Sequence, residues 1–230
     1  PNVVSSSNPN VLFISVDDMN DWVGCLGSDR VPTPHIDALA ERGLLFTNAH
    51  APAPTCGPSR ASLMTSIRPS TSGNYENSDT FTGNPLLNRA LSLPELFQRG
   101  GYQVTGAGKL FHGHHFKTEL KGRGFDVYWP SKENDHYKEP QARARPKPMA
   151  DWGQGENTFW DWGPMAPHIT LDDMSAGRMV NWVRKQLRSG AIEEPFFLAV
   201  GIIRPHLPFY APQSYFDQFP IDSIELPEVL

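Results

Sequence analysis

Residues Val11-Leu12-Phe13-Ile14-Ser15-Val16 form a short apolar, partly β-branched run that stops abruptly at Asp17-Asp18. Six residues are too few for a packed helix, and an unbroken apolar run of this length is typical of a strand buried on both faces of a parallel sheet. The next segments fit that constraint. Thr33 to Gly43 reads as a helix, with Thr33 as cap, Pro34 in the first turn, Ile36, Leu39 and Ala40 on one packing face and Gly43 as the stop. Leu44 to Ala49 then reads as a second strand, and the segment beginning at Cys56 as a second helix. Leu91 to Arg99 repeats the helix signals, with Ser92 as cap, Pro94 in the first turn and Gly100-Gly101 at the end; Tyr102 to Ala107 follows as a strand. Thr170 opens a capped helix running to about Leu187, and Pro195 to Ile202 is another buried strand. Alternating strands and helices predict an α/β fold with a mostly parallel central sheet flanked by helices.

The residues at the strand exits carry chemistry. Adjacent carboxylates at Asp17 and Asp18 repel one another unless a cation sits between them, and open α/β sheets place ligands at this edge. A cation site and a turn with solvated acids both fit this spacing. The stretch Thr55-Cys56-Gly57-Pro58-Ser59-Arg60 sets a small nucleophile beside a helix-opening Pro, with an Arg one turn on. Unpaired backbone N–H groups at a helix start favour anions and anionic transition states; the bland alternative is a buried, inert Cys56. Lys109 and His112, three residues apart after a strand, can point the same way. His206 lies between Pro205 and Pro208 at another strand exit and has little freedom, which suits a catalytic group. His35 and His50 receive no role, and His114 and His115 are read as surface or supporting positions.

Together these stretches resemble the type I sulfatases. Cys56-x-Pro58-Ser59-Arg60 followed by Leu63-x-Thr65 is similar to the signature in which the family's Cys is converted to formylglycine. Gly108-Lys109-Leu110-Phe111-His112, and Phe196 to Gly201 followed by Arg204-Pro205-His206-Leu207-Pro208-Phe209, resemble the iduronate-2-sulfatase branch. The resemblance implies an alkaline-phosphatase-like sulfatase fold and a sulfuric ester hydrolase acting on a sulfated carbohydrate. It implies calcium held by Asp17, Asp18 and the modified Cys56, with Arg60 orienting the hydrated aldehyde, Lys109 on the sulfate, His112 at the diol, and His206 at the sulfate or leaving oxygen. It also implies a formylglycine-generating enzyme as partner and a secreted, periplasmic or lysosomal location, although Pro1 to Asn10 has no signal-peptide pattern.

Composition narrows the remaining choices. The formal charge of −5 gives no support for binding nucleic acid or anionic membranes through overall charge, so an anionic substrate has to be recognised locally. No apolar run is long enough for a membrane span, and two cysteines make no disulfide framework, though a Cys25–Cys56 bond is conceivable. Arg68 to Arg89 reads as loop at the mouth of the site, and residues from about 125 to 165 as an irregular insertion with Trp129, Trp152, Trp160 and Trp162. The basic patch from Gln141 to Lys147 in that insertion is either a solvated linker or a contact for sulfated glycans. The family pattern continues beyond what is found after His206, with further metal ligands, a second Lys and a C-terminal subdomain. The expectation is therefore that residues 1–230 are the N-terminal part of a catalytic domain, completed elsewhere or on a second chain. Two rival readings remain: a phosphate or phosphonate ester hydrolase of the same superfamily, and a sulfated-glycan binding protein without turnover.

Overall fold

Phe196 to Ile202 is the apolar centre of the sheet because its side chains are buried on both sides. Phe197 and Ala199 point into one apolar cluster, Leu198 and Val200 into another. The computed structural model describes residues 8–79, 81–112, 123–129 and 162–225. Within them the strands are β1 (Val11–Val16), β2 (Gln103–Gly108), β3 (Val127–Trp129), β4 (Trp162–Pro164), β5 (Phe196–Ile202) and β6 (Phe209–Ala211). Strands β1, β5, β2 and β3 pair in that order, all parallel, while β4 and β6 form a small second sheet.

Helices cover both faces. On one side α2 (Cys56–Thr65) contributes Ala61 and Met64 to a cluster with Leu87, Val104, Phe197 and Ala199, and Phe97 of α5 (Leu93–Arg99) stacks on Phe197 with ring centroids 4.2 Å apart. On the other side α6 (Ser175–Ser189) buries Met179 and Val183 against Leu198 and Val200. Each such fully buried side chain contributes about 1.5–3 kcal/mol. The expected caps of α5 form: the Ser92 side chain accepts from the Glu95 N–H while Glu95 reaches back to the Ser92 N–H.

Several expectations are corrected. β1 is covered on one face only: Val11 and Phe13 pack against the core, while Leu12 and Ile14 are 56% and 51% exposed because no described element packs over their face. The first helix, α1 (Pro34–Arg42), buries none of its residues, and the Thr33 hydroxyl bonds the Gly24 N–H and Asp37 instead of capping α1. Leu44 to Ala49 is not a strand, since no described strand lies beside it to complete its hydrogen bonds. The loop from Arg68 to Arg89 contains α3 (Pro69–Ser72) and α4 (Pro85–Arg89) and sends Phe81 and Leu87 into the core. The helix expected from Thr170 is split at Met174, whose extended backbone separates a 3-10 turn, Leu171–Asp173, from α6.

At the start of the expected insertion, Val127-Tyr128-Trp129 joins the main sheet. Trp129 stacks on Trp182 and the Tyr128 hydroxyl donates to the Gly108 carbonyl at 2.6 Å, so two aromatic β-formers outweigh the polarity of the residues around them. His114, His115, the patch from Gln141 to Lys147, Trp152 and Trp160 lie outside the described residues. Among the described residues no helix is long and apolar enough to cross a membrane.

Candidate active site

Three parallel strands deliver the site at their C-terminal ends. The Asp17 N–H donates to the Ile202 carbonyl and the Lys109 N–H to the Gly201 carbonyl, which ties the exits of β1 and β2 to that of β5. The last tie needs glycine. A Cβ on Gly201 would lie 2.0 Å from the Lys109 carbonyl oxygen, and one on Gly108, at φ +74°, 2.1 Å from the Gly201 oxygen.

Asp17, Arg60 and Lys109 are 5%, 6% and 2% exposed, and they meet. Arg60 Nη2 donates to Asp17 Oδ1 at 2.7 Å, Lys109 Nζ to Asp17 Oδ2, and Arg60 Nη1 to the Lys109 carbonyl at 2.5 Å. Burial alone would raise the pKa of Asp17, but the charges of Arg60 and Lys109 and their hydrogen bonds more than reverse this and hold it below the usual carboxylate value. One carboxylate thus holds two cations, which leaves the cluster with a net positive charge. Asp18 adopts a left-handed backbone, φ 55°, and its side chain is 54% exposed.

Cys56 is the first residue of α2, and Thr55 is its cap. Its Sγ lies 3.0 Å from His112 Nδ1 and 3.5 Å from Asn77 Oδ1, and the same Asn77 oxygen accepts from the Gly57 N–H at 2.7 Å. Asn77 was not legible as a site residue; it sits in a polar loop, and only the fold brings it to the start of α2. Cys25 and Cys56 are both free thiols, so the conceivable disulfide is absent.

Burial pushes His112 down to about 4 from the ordinary 6.5, with Lys109 and Arg60 repelling the proton further. The imidazole beside Cys56 is therefore neutral at pH 7. The folded value lies below the unfolded one, so the unfolded chain takes up this proton first as pH falls. The stability contributed by neutral His112 is fully present above about pH 6.5 and is lost as pH falls towards 4. The imidazole resonances of His112 are expected to titrate with a midpoint near 4, and His112→Gln to flatten the stability profile between those limits; a midpoint at 6.5 would contradict the packing described.

His206 Nδ1 lies 2.7 Å from the Leu207 carbonyl, which can only accept, so Nδ1 carries a proton. Nε2 faces Asp18 Oδ2 at 3.6 Å. A cation lying between that nitrogen and the Asp18 carboxylate would be held by both. Asp17, Asp18 and His206 offer one ligand atom each within 4.8 Å of one another. The two carboxylates suit a hard divalent ion such as calcium, so the donor chemistry fits, although calcium takes 6–8 ligands and the remainder would have to come from other residues. The Cys56 sulfur lies outside that group, with His112 and Asn77.

Of the residues expected in the site, then, Asp17, Arg60 and Lys109 form one buried cluster, Cys56 and His112 a contact beside it, and Asp18 and His206 a pair at its exposed edge. The site thus sets a thiol at a helix start beside two buried cations at the C-terminal edge of a parallel sheet.

Comparisons with known proteins give the family. The sulfatase family model matches residues 9–228. A sulfatase of Formosa agariphila is 39% identical over 95% of this chain, and the iduronate 2-sulfatase of Homo sapiens is 32% identical over 96% of it. Among solved structures, the phosphonate monoester hydrolase of Agrobacterium radiobacter is similar with a TM-score of 0.71 and 25% identity, over 95% of this chain and 45% of that one. The chain belongs to the sulfatase family, and its fold is that of the sulfatases and their alkaline-phosphatase-like relatives. It spans 43% and 40% of the length of the two curated relatives.

Proposed function

We propose that the complete protein is a sulfuric ester hydrolase that removes sulfate from a sulfated sugar, of the iduronate-2-sulfate kind or another sulfated polysaccharide unit. The observation that carries this reading is the buried Asp17–Arg60–Lys109 cluster beside Cys56 and His112. A sulfate monoester repels nucleophiles with its own negative charge, and fixed cations in a poorly solvated pocket offset that repulsion without reorganising. Oxidised to formylglycine by a converting enzyme, residue 56 would supply a hydrated aldehyde, one oxygen for attack on sulfur and the other for expelling sulfate afterwards. The neighbourhood suits two oxygens, since His112 Nδ1 and Asn77 Oδ1 both lie within 3.5 Å of the present sulfur.

Asp17 and Asp18 would hold calcium together with the modified residue 56, and the ion would supply Lewis acidity toward a sulfate oxygen when bound. Arg60 keeps Asp17 ionised and anchors the Lys109 backbone through its carbonyl. Lys109 is the cation closest in sequence to His112 and would pair with a sulfate oxygen. His112, neutral at pH 7, accepts a proton from the group at residue 56 and returns it later. His206, once protonated at Nε2, would donate to the sulfate or the leaving oxygen.

A second reading is favoured by one finding, the 0.71 TM-score to a phosphonate monoester hydrolase, which keeps the site and changes the ester. Rates on the sulfate and phosphate monoesters of one alcohol decide between them. The sulfate ester is expected to react at least about tenfold faster in kcat/KM, a difference of about 1.4 kcal/mol in transition-state binding. Equal rates, or a preference for phosphate, would select the second reading. In protein from its native host, the peptide spanning Cys56 is expected to be lighter by about 18 Da than the unmodified sequence. An unmodified Cys56 there would favour the non-catalytic glycan binder.

A further inference from the structure

A groove of about 670 Å3 begins at Thr55, the residue before Cys56. That is far more than a sulfate group fills and falls within the roughly 300–1,000 Å3 of small-ligand clefts. One wall is the segment from His50 to Thr55, in which Pro52 and Pro54 fix the backbone; the other carries Arg68, Ser70 and Tyr75. The groove adjoins the reaction centre a second time through the Tyr75 loop, because Asn77, two residues on, bonds the Gly57 N–H and lies against Cys56.

Charge separates this groove from the rest of the surface. The protein carries a formal −5, yet among the described residues no Asp or Glu lines the groove. In the loop that carries Tyr75, the exposed Glu76 follows next in the chain but is not part of the lining, and Asp79 turns its carboxylate into the N–H groups of Tyr75 and Glu76 at 2.9 Å. Arg68 makes no ion pair or side-chain hydrogen bond with a described residue, although its carbonyl starts α3 by accepting from Thr71 and Ser72. Another large groove, lined by Trp22, Arg30 and Phe219, contrasts with it: Asp29 and Glu225 sit in its wall, and Arg30 is engaged with the Glu225 carbonyl and the Trp22 ring.

We propose that the groove from Thr55 to Tyr75 is a subsite for the sugar next to the sulfated one, and that it selects a neighbour bearing its own carboxylate or sulfate. Arg68 forms the ion pair, its planar fork matching either oxyanion bidentately. Tyr75, 58% exposed, and the two prolines pack on the ring faces of the sugar. Arg68 touches no reacting atom in this role, so it determines specificity and takes no part in the chemistry. The inference rests on the ester-hydrolase reading for its substrate class.

The test uses the complete protein with residue 56 converted, on two substrates: 4-nitrophenyl sulfate, which has no neighbouring sugar, and a uronate-containing disaccharide bearing two sulfates. Arg68→Ala is expected to raise KM for the disaccharide about fivefold to tenfold with kcat unchanged, and to leave the aryl ester within twofold; Arg68→Lys recovers part of the loss. The KM effect should shrink as salt rises from 0.05 to about 0.5 M, since the pair is exposed. Equal KM values for Arg68→Ala and wild type on the disaccharide, or equal losses on both substrates, would overturn the proposal. Should neither ester react, the hydrolase reading falls on its own. The subsite is then judged by titrating the same disaccharide into the Cys56→Ser protein, where Arg68→Ala weakens binding by the same factor or the proposal fails.

Discussion

Replacing Cys56 with alanine is expected to lower hydrolysis of a sulfate monoester by the complete protein at least about 10,000-fold, because it removes the nucleophile and any possibility of making one. The fold should hardly notice. Cys56 is only partly buried, alanine is the better helix former at the start of α2, and the lost contacts are those of Sγ with His112 and Asn77. A change of less than about 1 kcal/mol corresponds to a melting-point shift within about 4 °C for a chain of this size. Cys56→Ser separates two ideas that alanine does not. A serine hydroxyl can accept the sulfuryl group, but it has no second oxygen with which to expel it. The serine variant is therefore expected to react at most once and to gain about 80 Da, seen by intact mass after incubation with substrate. Sustained turnover by Cys56→Ser would mean that the aldehyde is not required, and the proposed chemistry would have to be abandoned.

Much of the fold and the site was legible in the sequence, and the gaps have a common cause. Local signals located β1, β2, β5, α2 and α5 closely, because the apolar runs, caps and prolines that define them lie within each element. Asp17, Cys56, Lys109 and His206 could be placed at strand exits or a helix start for the same reason. What those residues do to one another was not legible. That Lys109 is nearly fully buried follows from its pairing with Asp17, 92 positions earlier, and nothing within a strand or turn announces it. Arg60 was expected to face the nucleophile, whereas its Nη atoms hold Asp17 and the Lys109 carbonyl. Asn77 gave no sign at all.

The opposite error came from reading apolar content as burial. Leu12, Ile14, Leu39 and Phe46 are hydrophobic at positions that look like core, yet all are more than half exposed. Whether a strand or helix face is covered depends on what packs against it, and that information is not in the segment itself.

Asp17→Asn is expected to cost about 3–5 kcal/mol of stability, the usual penalty for leaving a buried charge without its partner. Here two charges are left. Arg60 Nη2 and Lys109 Nζ both donate to the Asp17 carboxylate, and an asparagine of the same shape offers one acceptor and turns an N–H2 toward the other cation. At about 2–4 °C per kcal/mol for a chain of this size, the melting point should fall by about 10 °C. Asp18→Asn is the internal control. Its side chain is 54% exposed and its nearest charged partner is His206 at 3.6 Å, so water replaces what is lost and the cost should stay below about 1 kcal/mol. The pH dependence has a definite sign. The folded pKa of Asp17 lies below the ordinary 3.8, so its stabilising effect is present above that value and is lost as pH falls through the depressed one. Wild type and Asp17→Asn should therefore differ fully at pH 7 and converge only in strong acid. Adding Lys109→Met to Asp17→Asn removes one stranded cation and is expected to restore part of the stability, a non-additivity of at least about 1 kcal/mol. Strictly additive effects would mean that Asp17 and Lys109 do not depend on each other, and the buried cluster on which the site is built would lose its physical basis.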